Sequence, residues 1–165
     1  MGESLYKTAK ARLFKSIPGN KAHHISTELL TFHIAGLPSD LEGLKICHLS
    51  DFHLTGQLDR SYFERVARIA NEFDPDLILI TGDLVDEQEC LDWIEPIFGN
   101  LSARHGIFYV LGNHDRRIHD EKMYRQRLDA AGMVGVSGTW QTVSIRAPRS
   151  RLQATNCHGF PMRRD

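Results

Sequence analysis

The chain has 165 residues, enough for one domain with its own hydrophobic core. It is 41% apolar and 25% charged with a formal net charge of −1, so it has the composition of a globular protein and no electrostatic reason to seek nucleic acid. No apolar run approaches the roughly 18 residues of a membrane helix, and Lys7, Lys10, Arg12 and Lys15 precede no apolar stretch of the secretory kind; a cytoplasmic protein is expected. Cys47, Cys90 and Cys157 are odd in number and widely spaced, which reads as free thiols in a reducing compartment.

Residues 1–24 form a basic extension. It reads as solvated; the other reading is an amphipathic arm with Leu5, Ala9, Leu13 and Ile17 on one thin face. The apolar-rich segment Ile25 to Ile34 suggests an opening strand, closed by Gly36, Pro38 and Asp40. Leu44 to Leu49 is a second short strand. Ser61 with Glu64 three residues on has capping-box spacing and starts a helix with Tyr62, Phe63, Val66, Ile69, Ala70 and Phe73 on one face; Asp74-Pro75-Asp76 stops it. Leu77 to Ile80 is continuously apolar, as a strand buried on both faces requires. A helical region follows from about Gln88 to Ser102, split or kinked by Pro96. Ile107 to Leu111 is a third buried strand, and Glu121 to Ala131 a helix ended by Gly132. Trp140 to Arg146 alternates as one more strand, with Val143 and Ile145 on one side. Residues 147–165 show no period and read as an irregular tail. Strand–helix alternation with short links specifies an α/β fold with parallel pairing, in a domain spanning residues 25–146.

Three polar clusters follow the three buried strands: Asp51-Phe52-His53, Gly82-Asp83 and Gly112-Asn113-His114-Asp115. In a parallel sheet the carboxyl ends of the strands share one edge, so residues far apart in sequence meet there. Asp51 and His53, two apart in extended backbone, leave on one face and can grip one ion. Asp83 follows a glycine that permits a sharp turn, and its two oxygens can bridge two ions. Asn113 offers a neutral oxygen to the second ion. His114 beside Asp115 suggests an imidazole oriented by a carboxylate and able to protonate a leaving group. Two ions roughly 3.5–4 Å apart clamp the attacking and leaving oxygens of phosphoryl hydrolysis. Each cluster alone has an ordinary reading as a turn; their joint placement at strand ends does not. His48, inside a strand, reads as a core histidine, Trp93 and Trp140 as packing residues, and Asp86 and Glu87 as solvated loop charges. His23, His24, His33, His105 and His119 have no matching context.

Leu49-Ser50-Asp51-Phe52-His53-Leu54, Thr81-Gly82-Asp83-Leu84-Val85-Asp86 and Tyr109-Val110-Leu111-Gly112-Asn113-His114-Asp115, in that order, resemble the calcineurin-like metallophosphoesterase family. Gly36-Leu37-Pro38 and Leu41-Glu42-Gly43-Leu44-Lys45-Ile46 resemble its bacterial membrane-associated branch. The resemblance implies a four-layer α/β/β/α sandwich and a hydrolase of phosphate esters. It implies a phosphorylated small-molecule or lipid-linked substrate, with peripheral membrane contact. Two divalent ions (Mn, Fe, Zn or Mg) are implied as cofactors: Asp51 and His53 hold the first, Asp83 bridges and Asn113 binds the second. His114 serves the leaving oxygen and Asp115 orients it.

The family pattern continues with a further histidine and a Gly-His-x-His loop. Downstream of His119 this sequence has only His158, in Asn156-Cys157-His158-Gly159, whose surroundings differ. The sequence-based expectation is a domain incomplete at its C-terminus, by truncation or frameshift, holding at most one ion and poorly soluble. A catalytically impaired fragment or a non-catalytic scaffold is the alternative to an active hydrolase.

Overall fold

The computed structural model describes residues 24–136, 138, 140–145 and 149–153. The basic extension before His24 and the expectations at Cys157 and His158 lie outside the described residues. Four short apolar runs make one parallel sheet: β1 (Ile46–Leu49), β2 (Leu77–Ile80), β3 (Ile107–Tyr109) and β4 (Met133–Gly135), neighbours in sequence order. Ile46 stands opposite Leu77, Ile78 opposite Ile107, and Ile107 opposite Met133. Parallel neighbours need a crossover to bring the chain back. These are α1 (Arg60–Glu72), a 3₁₀ stretch Gln88–Trp93 running into α2 (Ile94–Phe98), and α3 (Glu121–Ala130).

The two-residue period of the strands sorts the core onto two faces. Ile78, Ile80, Ile107 and Tyr109 pack against Phe63, Ala67 and Ala70 of α1, Ile94, Ile97 and Phe98 of α2, and Tyr124 and Leu128 of α3. Leu77 and Phe108 face the other way and pack with Val136, Val143 and Ile145. Val143 belongs to β5 (Trp140–Ser144), which pairs antiparallel with β6 (Arg149–Gln153), Trp140 opposite Gln153. Helices therefore cover one face of the parallel sheet and a strand pair the other, the α/β fold expected. Among the described residues no helix is long and apolar enough to cross a membrane.

Several elements differ from the sequence reading. The capping box does not form: α1 begins two residues earlier, with Asp59 in the N-cap position, which draws Ser61 into its first turn, and Glu64 accepts instead from Arg60 Nε at 2.8 Å. Pro96 sits in the first turn of α2, where its missing N–H has no helical partner to lose, so the helix restarts just ahead of it. Ile25–Ile34 is not a strand; Leu29, Leu30, Phe32 and Ile34 are 79, 66, 76 and 62% exposed, and among the described residues no strand pairs with them. β4 was not anticipated because three residues give no readable period. β6 lies in the expected irregular tail, because backbone pairing with β5 rather than apolar alternation defines it. His48 is no core histidine; it is exposed and its Nε2 lies 2.7 Å from Thr81 Oγ1.

The loops after β2 and β3 are tied by one buried carboxylate. Asp115 is 3% exposed. Its Oδ1 accepts from Leu84 N at 2.9 Å, Val85 N at 3.2 Å and the Tyr124 hydroxyl at 2.7 Å. Its Oδ2 accepts from Asp83 N at 2.9 Å and Gly112 N at 2.7 Å. Burial first, and then the Asp115 carboxylate, push the Tyr124 hydroxyl far above its ordinary pKa, so it remains a donor. The two loops also touch at glycines: a Cβ on Gly112 would stand 2.2 Å from Asp83 Oδ1, and one on Gly82 2.5 Å from Gly112 N. Asp115→Ala leaves these donors without an acceptor and should lower the unfolding free energy by at least about 3 kcal/mol, against about 1.5–3 kcal/mol for Tyr124→Phe. Urea unfolding followed by circular dichroism measures both. An Asp115→Ala protein as stable as the parent would remove the carboxylate from this role.

Candidate metal centre

The loop after β1 is positioned by the aromatic residue at its middle. Phe52 packs into the helix-side core, its ring centroid 5.0 Å from that of Phe98 and 6.1 Å from that of Phe63. Asp51 and His53 flank it. Their backbone is stitched to the next loop: Asp51 N donates to Gly82 O at 3.1 Å, His53 N to Asp83 O at 2.9 Å and Leu54 N to Leu84 O at 3.0 Å. Leu54 and Val85 bridge as an isolated parallel pair, both fully buried.

Asp51, His53 and Asp83 all take left-handed backbone, with φ of 56°, 44° and 55°. The extended Asp-x-His geometry expected from sequence is therefore not what brings Asp51 and His53 together. Two tight left-handed bends around a partly buried phenylalanine do so instead. Such backbone costs about 1 kcal/mol or more at each non-glycine residue, and such strain clusters at functional sites. Donor atoms of Asp51, His53 and Asp83 lie within 4.8 Å of one another, with His53 Nε2 3.5 Å from Asp51 Oδ1. Asp83 is held in place: its Oδ1 accepts from His114 N at 2.8 Å. Two carboxylates and an imidazole at this spacing fit a divalent cation, whose charge would offset their mutual repulsion.

A second group within 4.8 Å comprises His53, Asp86 and His114. Asp86 Oδ1 lies 3.1 Å from both His53 Nδ1 and His114 Nδ1, and the two rings meet edge to face with centroids 4.5 Å apart. Arg117 Nη1 stands 3.6 Å from the other oxygen of Asp86. Burial works to lower the pKa of His53, but the hydrogen bond and charge of Asp86, with Asp83 and Asp51 behind it, outweigh that and raise it above the ordinary histidine value.

The structure thus brings Asp51, His53, Asp83 and His114 to one sheet edge, with Asn113 exposed in the turn between Gly112 and His114. Asp115 is elsewhere in role: its carboxylate faces backbone N–H groups and Tyr124, and the carboxylate against the His114 imidazole is Asp86. Asp86 is accordingly not the solvated loop charge its sequence context suggested. The sequence offers only the apolar pair Leu84-Val85 between Asp83 and Asp86; the structure shows both of the pair fully buried, with Asp83 and Asp86 each within reach of His53.

Comparison with known proteins bears on the same residues. The family model described as calcineurin-like phosphoesterase matches residues 44–156. A zebrafish (Danio rerio) transmembrane protein with metallophosphoesterase domain is 35% identical over 99 residues, covering 59% of this chain and 22% of its own length. The metallophosphoesterase YkuE of Bacillus subtilis is 29% identical over 126 residues, covering 74% of this chain and 44% of its own. The UDP-2,3-diacylglucosamine pyrophosphatase LpxG of Chlamydia trachomatis is 30% identical over 101 residues, covering 57% and 31%. The chain spans less than half the length of each of these relatives. With the matched region taking in the strand-end clusters and both donor groups, the chain belongs to the calcineurin-like phosphoesterase family.

Proposed function

We propose that this domain hydrolyses phosphate esters with two divalent metal ions bound at the carboxyl edge of its parallel sheet. The observation that carries the reading is the convergence of Asp51, His53 and Asp83, each in left-handed backbone, on one point. A protein with no cation to hold gains nothing from straining three residues to bring two carboxylates together. Asp51 and His53 would hold the first ion, Asp83 would serve both, and Asn113 would offer its carbonyl oxygen to the second. When bound, such ions lower the pKa of a shared water and stabilise charge on the attacking and leaving oxygens.

The remaining work falls to His114. With Nδ1 lying 3.1 Å from Asp86 Oδ1, its Nε2 is left to serve the leaving oxygen as proton donor, and the carboxylate fixes the orientation of the ring. Asp86 is then a positioning residue. Asp115 acts one step further back, fixing the loop that carries Asp83. The substrate class we favour is a phosphorylated small molecule or lipid-linked diphosphate, met at a membrane surface. The support is similarity to a relative named as a pyrophosphatase of UDP-2,3-diacylglucosamine.

A chromogenic nitrophenyl phosphodiester with added Mn²⁺ tests the reading: metal-dependent turnover supports it, and its absence from folded, metal-loaded protein favours a scaffold. In the active protein Asp83→Ala should abolish metal-dependent hydrolysis, and near-normal rates at saturating Mn²⁺ would remove Asp83 from its bridging place. His114→Ala should lower turnover by roughly 10²–10⁴-fold with bound Mn²⁺ retained. Equal loss of Mn²⁺ and rate would make His114 a ligand for that ion instead.

A further inference from the structure

The two donor groups share His53 but differ in chemistry. The Asp51–His53–Asp83 group is rich in oxygen, whereas His53–Asp86–His114 offers two imidazoles and one carboxylate. In the second group one carboxylate oxygen faces both rings at 3.1 Å. An ion with bonds of about 2.0–2.1 Å separates adjacent donors by about 2.9–3.4 Å in octahedral to tetrahedral arrangements. The Asp86–imidazole spacings already fall in that range. Arg117 lies on the far oxygen of Asp86 at 3.6 Å, leaving Oδ1 to the rings. The His53 and His114 side chains keep 36% and 26% of their exposure, so the pair is reachable from solvent.

We propose that His53, Asp86 and His114 form a separate site for a borderline divalent ion such as Zn²⁺ or Co²⁺, and that filling it blocks the hydrolytic site. Nitrogen-rich donor sets favour such ions, while carboxylate-rich ones suit Mg²⁺ or Mn²⁺. Exclusion follows from the ring chemistry of His53. Its Nδ1 faces Asp86 and its Nε2 faces Asp51. A neutral imidazole has one proton and one free lone pair. Coordination through Nδ1 places the proton on Nε2, which then offers no lone pair toward Asp51 and Asp83. The same ion occupies Nδ1 of His114 and removes it from Asp86. Binding in the triad stands apart from the proposed hydrolysis; only the blocking consequence rests on that reading.

The test uses the full chain with Zn²⁺ alone and then with Mn²⁺. X-ray absorption at the zinc edge should count two imidazoles per ion, where the oxygen-rich group would give one. Competition with a chromogenic chelator should show Zn²⁺ affinity falling at least about tenfold in His114→Ala and Asp86→Asn, and less than about threefold in Asp83→Asn. Electron paramagnetic resonance should show Mn²⁺ released as Zn²⁺ is added. One imidazole per zinc, or affinity lost in Asp83→Asn and kept in His114→Ala, would overturn the proposal. If a variant fails to fold, the imidazole count on the unmodified chain still decides. Two imidazoles per zinc in a protein without phosphodiesterase activity would sink the hydrolytic reading and leave this site standing.

Discussion

The arrangement depends on one buried carboxylate. Asp115, buried beneath the sheet edge, gathers the N–H groups of Asp83, Leu84 and Val85 from one loop and of Gly112 from another, and takes the Tyr124 hydroxyl from α3. A buried charge without partners would be costly; one that accepts every donor around it becomes a rigid joint. Two loops that come from adjacent strands and would otherwise be free to splay are thereby held backbone to backbone, with glycine at both points of closest approach. The edge positions of the loops after β2 and β3 are set by that joint. Asp83 is fixed by its own N–H bonded to Asp115 and its carboxylate bonded to His114 N.

The loop after β1 is set by other means. Phe52, partly buried, packs its ring against Phe63 of α1 and Phe98 of α2, and the hydrogen bonds from Asp51, His53 and Leu54 lace the loop to the one carrying Asp83. The apolar area this ring removes from water offsets part of the cost of left-handed backbone on both sides of it. Packing energy from the core is in this way converted into the position of polar groups at the surface. The backbone is strained at the candidate ligands Asp51, His53 and Asp83, and packing against the core holds it there.

The sequence made the fold class, the three strands that lead into the clusters and the converging clusters legible because each rests on a short-range signal: apolar-rich runs, then glycine and polar residues at their ends, although of the three only β2 and β3 are buried. Membership of the family was legible for the same reason. What escaped it depends on contacts distant in sequence. Asp115 follows His114 directly, and adjacency suggested a pair, but its bonds reach back about thirty residues to a neighbouring loop. Asp86 looked like a solvated charge because nothing local shows that Leu84 and Val85 are fully buried. β6 is defined by pairing and β4 by only three residues, and neither leaves a period to read. The exposed run Leu29–Ile34 shows the converse case: strand-like composition with no partner strand among the described residues yields no strand.

The claim at the centre of this account is that Asp115 and Phe52 hold Asp51, His53 and Asp83 in place for a hard divalent cation. Crystals grown with Mn²⁺ and measured at the manganese absorption edge test it most directly. The account predicts an anomalous peak within bonding distance of Asp51, His53 and Asp83, with the left-handed backbone at all three unchanged. Manganese bound elsewhere, or no peak at this edge while the loops keep the conformation described, would contradict it.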